Sequence, residues 1–194
     1  KVVAAVSPHH KVMASYLWND KIRGHRRDSN DKIPDIAAVV QTNPVQTTQV
    51  RYTGVFGRQL VFESGFSVMD GQTNYSYQPG TPADAIRKID NSLGEVFFAA
   101  PRHEEQPNSR HQFDNVLSSN TQRFGGTHAL KGGVQFARLH FEQRYTVQGH
   151  HHVEYANGRA SQVRLFNTPT VNKNLVHVLG FFLQDSWSIG SRVT

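Results

Sequence analysis

The sequence predicts an all-β protein, and within that class an antiparallel transmembrane β-barrel segment. Three observations carry the prediction. Polar and apolar residues alternate with period two over many windows, and few windows show the period of an amphipathic helix. Tight clusters of Gly, Pro and Ser alternate with long polar connections along the whole chain. The composition, 37% hydrophobic with 15 Gly and 12 Phe in 194 residues, fits poorly with one closed soluble core.

The strands are predicted beside the short turns. Strand 11–19 sets Val12, Ala14, Tyr16 and Trp18 on one face. Strand 47–56 sets Val50, Tyr52, Gly54 and Phe56 against Gln49, Arg51 and Thr53. Strand 60–68 groups Leu60, Phe62, Ser64, Phe66 and Val68, with Glu63, Gly65 and Ser67 opposite. Strand 128–137 sets Leu130, Gly132, Val134 and Phe136 against Lys131, Gly133 and Gln135. The run 110–120 is the least regular. The last strand, from Asn174, crowds bulky residues around Phe181 and Phe182 and turns polar at Gln184-Asp185-Ser186-Trp187.

Short turns fall at 7–10, 56–59, 123–128 and 188–191, and long connections at 20–46, 70–109 and 144–173. Structureless connections of that length are rare in compact soluble domains. They are the rule in transmembrane barrels, which have short periplasmic turns and long extracellular loops. With that orientation Trp18 reaches the outer interface and Trp187 the inner one, where amphipathic rings are favoured. Arg138 comes about ten residues after His128, a full span, and so meets headgroups or water.

The remaining composition narrows the function classes. No apolar run reaches the roughly 18 residues of a spanning helix, which leaves spanning strands open. Cysteine is absent, which excludes disulfide scaffolds and Cys-based zinc sites. The net charge of +6 is spread along the chain without a concentrated basic patch, so a nucleic-acid partner is not expected. The chain opens on KVVAAV without Met or a signal-peptide pattern, and a strand starting at Arg192 is cut at Thr194. It is therefore expected to be an internal fragment.

Two motifs resemble a known family. Phe182-Leu183-Gln184-Asp185-Ser186-Trp187, a short turn and Arg192-Val193-Thr194 are similar to the strand pair (F/Y)-x-Q-D-x-W…L-T-L of TonB-dependent outer-membrane receptors, closest to their Oar-like group. Gly126-Thr127-His128-Ala129-Leu130-Lys131-Gly132-Gly133-Val134 resembles that group's G-x-H-x-L-K-x-G hairpin, about fifty residues upstream. Gly132 stands where an aromatic is common, and Val193 where Leu is usual. The resemblance covers mainly the second half; the first half agrees in rhythm.

The resemblance implies a receptor with a barrel of about 22 strands, a plug and an energy-coupling box. Residues 1–194 would be a partial barrel of about six full strands plus partial end strands, with the plug domain and remaining strands absent. The implied function is binding and import of a bulky nutrient, without enzyme activity and without a cofactor. The implied location is the cell outer membrane of a Gram-negative bacterium. The implied partners are outer-membrane lipid, the rest of the barrel and plug, the TonB complex through the missing N-terminal part, and an unknown extracellular ligand. The competing reading is a soluble β-rich, carbohydrate-binding module, which would bury Tyr16, Phe62, Val134 and Phe136. A His-based metal enzyme is a further alternative.

No catalytic, cofactor or metal residue is assigned. His150-His151-His152 with Glu154 nearby is the most metal-like run, but adjacent residues of an extended segment point in opposite directions, and a solvated loop is expected. Thr81-Pro82-Ala83-Asp84 followed by Ile86, Ile89 and Leu93 predicts a capped short helix at the barrel mouth. Glu63 and Asp185 could pair with Arg51 or Lys131 inside a lumen, as lumen electrostatics rather than catalysis. His128 and Asp185 with a serine could be drawn as a triad, but no nucleophile elbow supports it. Gly125-Gly126 and Gly132-Gly133 lack the strand-to-helix setting of a phosphate loop.

Overall fold

The computed structural model describes residues 1–27, 32–123 and 125–189. Within them lie thirteen strands: β1 (Val2–Ser7), β2 (His10–Asn19), β3 (Ile22–Arg26), β4 (Val39–Thr42), β5 (Val45–Phe56), β6 (Leu60–Ser76), β7 (Lys88–Asp90), β8 (Glu95–Phe97), β9 (His103–Arg123), β10 (Gly126–Thr146), β11 (His151–Ala156), β12 (Arg159–Leu165) and β13 (Thr170–Ser188). The chain is all-β and its main sheet is antiparallel, as the period-two pattern predicts.

The main sheet runs β1-β2-β5-β6-β9-β10-β13, with the β3–β4 pair attached to the far end of β6. It is an open sheet: among the described residues β1 and β13 do not pair with each other. Its hairpins β1–β2, β5–β6 and β9–β10 close through short turns, with Gly57 and Gly125 at φ 64° and 78° supplying the left-handed backbone. Positions 190–194, which hold the end of the fourth turn and the strand start at Arg192, lie outside the described residues.

Register fixes the two faces. One row of directly paired residues runs Ala14, Val50, Phe66, Phe113, Phe136, Leu179. The row that starts one residue earlier faces the other way and runs Met13, Arg51, Gly65, Asp114, Gln135, Gly180. The facing assigned above for strands 11–19, 47–56, 60–68 and 128–137 is the facing observed. The apolar face is uncovered: Phe66 is 49% exposed, Phe113 44%, Phe136 45% and Leu179 61%.

The long connections differ from expectation because they are not structureless. The β3–β4 pair fills the first, and β7, β8, β11 and β12 from the other two make a second sheet in the order β12-β11-β7-β8. Asn157 and Gly158, at φ 50° and 75°, form the two-residue turn between β11 and β12. Most of the buried apolar side chains gather in these connections: Ala37, Ala38, Val39, Val96, Ala99, Ala100 and Val147.

The helix predicted after Thr81 does not form. Residues 81–87 hold a single turn at 83–84, Ile89 lies in β7 paired in parallel with β11, and Gly94 at φ 61° reverses the chain into β8. The Thr81 hydroxyl caps nothing; it is buried without a hydrogen-bond partner. Cross-loop pairing with β11 satisfies the backbone that a helix would have satisfied internally.

Candidate functional site

Where the β3–β4 pair joins β6, the polar face of the main sheet carries a cavity of about 440 Å³ lined by Arg26, Val39, Tyr75, Pro101, Arg102, Glu104 and Gln106. Its floor follows from register. Gln41 pairs with Tyr75, Tyr75 with Glu104, and Glu104 with Tyr145, so all four side chains share the face that carries Gln135. Arg26 pairs with Val39 on the neighbouring hairpin and joins them. Residues 101–102, which lead into β9, complete the wall.

Two arginines are held rigidly there. Arg26 donates through Nη1 to Gln41 Oε1 at 2.9 Å and to Tyr75 Oη at 2.7 Å, and its guanidinium lies 5.0 Å from the Tyr75 ring centre. Arg102 donates through Nε to Glu104 Oε2 at 2.6 Å and lies 4.7 Å from the Tyr145 ring centre. Cation–π contact and fixed hydrogen bonds orient each guanidinium.

Glu104 is the buried anchor. Burial opposes its ionisation, but donors on Gln143, Gln106 and Arg102 outweigh it and hold the carboxyl below its usual range. The ionised Glu104 orients Arg102 and accepts from all three donors. The pocket therefore presents two guanidinium groups and two tyrosine faces, chemistry suited to a polar, oxygen-rich guest.

The predicted site residues are dispersed. The His150 ring meets Thr168 Oγ1 at 3.0 Å, the His151 ring meets Gly149 O at 2.7 Å, and His152 donates to Pro101 O. Among the described residues no group of three or more His, Asp or Glu is arranged to hold a metal ion. Glu154 is fully buried instead, accepting from Asn91 at 2.9 Å and Gln162 at 2.6 Å and pairing with Arg164 at 2.7 Å.

Glu63 lies on the polar face beside Thr53, but Asp185 does not join it. Asp185 pairs in register with Leu130, on the apolar face, and its carboxylate stands 2.7 Å from the His128 ring. No ion pair links Glu63 or Asp185 to Arg51 or Lys131 among the described residues. The expected lumen pairing is corrected by parity: Asp185 sits two residues from Trp187 and shares its face. The His128–Asp185 contact drawn from the sequence is real, but the His128 ring stacks on Trp187 at 5.3 Å, away from the pocket.

The pocket itself escaped the sequence. Arg26, Tyr75, Arg102 and Glu104 are separated by up to 78 positions, and only the strand extensions above residue 68 bring them together. Compared with protein-family models, curated proteins and solved structures, the chain matches none.

Proposed function

We propose that the chain is a stretch of an outer-membrane β-barrel from a receptor resembling the TonB-dependent, Oar-like group, which binds and imports a bulky extracellular nutrient. The observation that carries this is the uncovered apolar face of a long, regular antiparallel sheet whose other face is polar. A soluble module would have to hide Phe66, Phe113, Phe136 and Leu179 under a second layer; lipid covers them without one.

The rows support a span of ordinary thickness. On β10 the apolar parity runs from Leu130 to Phe136 and becomes charged at Arg138; a cation at mid-bilayer costs roughly 2–4 kcal/mol and about 0–1 at the interface. Trp18 and Trp187 stand at opposite ends of the band. Beyond it the strands continue outward and carry the pocket, so the loops and the pocket capture ligand while the polar face lines the route. Unpaired strand edges are not tolerated in lipid, so the remaining barrel strands complete the wall. The plug and the TonB complex, engaged through parts outside this chain, gate and power the passage. No bond is made or broken.

Residues 1–194 hold no cysteine, and any cysteine outside them is first replaced by Ser. Single cysteines at Val134, Gln135 and Phe136 are placed in the full gene product, inserted in the outer membrane of a Gram-negative host. A water-soluble maleimide is expected to label position 135 through the lumen and to spare 134 and 136, which a lipid-soluble reagent labels instead. Equal labelling of all three by the water-soluble reagent, or a monodisperse protein free of membrane and detergent, would establish the soluble binding module.

A further inference from the structure

One row beyond Phe66, Phe113, Phe136 and Leu179, the same face changes character over β9, β10 and β13. That row sets His111, Arg138 and His177 side by side. The next carries Ser109, His140 and Leu175; Glu142 with Lys173, and then Arg144, follow. His111, Arg138, Lys173, Arg144 and His177 are all exposed.

The acids here offset Arg144 and Lys173 and lie outside the row of Arg138. Glu142 is buried beneath Arg144, Lys173 at 3.6 Å and His140 at 3.9 Å, and the Arg144 hydrogen bond, foremost, holds its carboxyl below the usual range. It gathers cations rather than facing outward. Glu105 pairs in register with Arg144 and lies 3.6 Å from His103, and Asp70 pairs with Ser109 on β6, one row beyond Arg138. Among the described residues Arg138 has no ion-pair partner.

We propose that this patch binds the phosphates of an anionic lipid headgroup. The inference rests on the barrel reading and goes beyond it, since insertion needs only the apolar band. The band ends one row below the cations, so a lipid whose chains lie on Phe113 and Phe136 brings its headgroup level with Arg138. A guanidinium flanked by two imidazoles suits phosphate, which accepts bidentate hydrogen bonds. A soluble acidic partner would have to seat against the exposed phenylalanines.

The full gene product is reconstituted in phosphatidylcholine vesicles containing lipid A, extracted in mild detergent, and its retained lipid is counted by mass spectrometry. Wild type is expected to retain lipid A. The triple variant His111→Ala/Arg138→Ala/His177→Ala should lose it by about fivefold or more, the share of the one full cation removed. Arg110→Ala, on the opposite face of β9, should retain it.

Equal retention by the triple variant, with the protein still resistant to carbonate extraction, overturns this inference and leaves the barrel standing. Displacement of lipid A by inorganic phosphate alone overturns the lipid assignment in favour of a free-phosphate site. Wild type washed from the vesicles by carbonate overturns both readings.

Discussion

His152 donates its Nε2–H to the Pro101 carbonyl oxygen at 2.9 Å, and so fastens β11 to the segment that leads into β9. The ring packs against Phe166 at 4.5 Å and is buried, which pushes its pKa down to about 4 from 6.5. Two buried carboxylates lie in the same small sheet. Asp90 accepts from the backbone of Gly158, Ser92 and Leu93, and Glu154 chiefly from Gln162; both are held below their usual range.

Acid should therefore loosen the β12-β11-β7-β8 sheet in two stages. A histidine with a lowered folded pKa stabilises the fold above its unfolded value, and that contribution is lost as pH falls from about 6.5 toward 4. The carboxylates add a second loss below their unfolded values, as Asp90 and Glu154 take up protons. Amide hydrogen exchange in β11 and β12 against pH reads both stages. His152→Asn should abolish the upper one; a variant with the wild-type slope in that window would refute the assignment.

Gly133 sits where β9, β10 and β13 press together. A side chain there would meet the Phe182 ring and come within 2.7 Å of the Asn115 carbonyl oxygen, which is backbone and cannot swing away. Gly133→Leu is expected to cost roughly 1–3 kcal/mol through overpacking. Gly132→Ala, whose nearest neighbour is Leu183 at 3.4 Å, should be close to neutral. Denaturation midpoints of the two variants in the same detergent decide it.

Glu104→Ala should cost about 1–3 kcal/mol, since it strips Arg102 of its carboxylate and leaves the donors of Gln106 and Gln143 facing a void. Glu104→Gln keeps an acceptor and should fall between. Because the pocket lies in the strand extensions, the loss should appear as faster proteolysis at 101–106 while the β9–β10 turn is unaffected. Uniform destabilisation of the whole sheet would contradict a local anchoring role.

The two tryptophans of these 194 residues provide an optical ruler once any others in the gene product are replaced by Phe. With Trp18→Phe leaving Trp187, and Trp187→Phe leaving Trp18, each remaining indole should be quenched best by lipids brominated near the headgroup. Strongest quenching by bromines near the chain ends, for either residue, would place it in mid-bilayer and break the proposed orientation.

Facing was legible because it is a local property: a strand's period-two pattern, as in Leu60–Phe62–Ser64–Phe66, needs no knowledge of its partners. Turn chemistry was legible for the same reason. The loops were not, because β7 finds β11 more than sixty residues away and the pairing leaves only a faint local mark. One mark was there: Asn157-Gly158 between two short β-prone runs is a hairpin signal, passed over inside a supposed loop. The Asp185 assignment failed where Phe181 and Phe182, on opposite faces, blur which parity is apolar. The pocket depends on the β3–β4 pair meeting β6, a tertiary event without a local signature.

The 21-residue strands β9 and β10 also set a distance. Tyr145 stands nine residues above Phe136 on β10, roughly 30 Å of strand. On the proposed reading, a guest released from Arg26 and Arg102 would descend by that length before it drew level with Gln135. On that reading capture and passage would be separate in space, joined by the polar side chains of Gln143, Gln112 and Asp114 on one face.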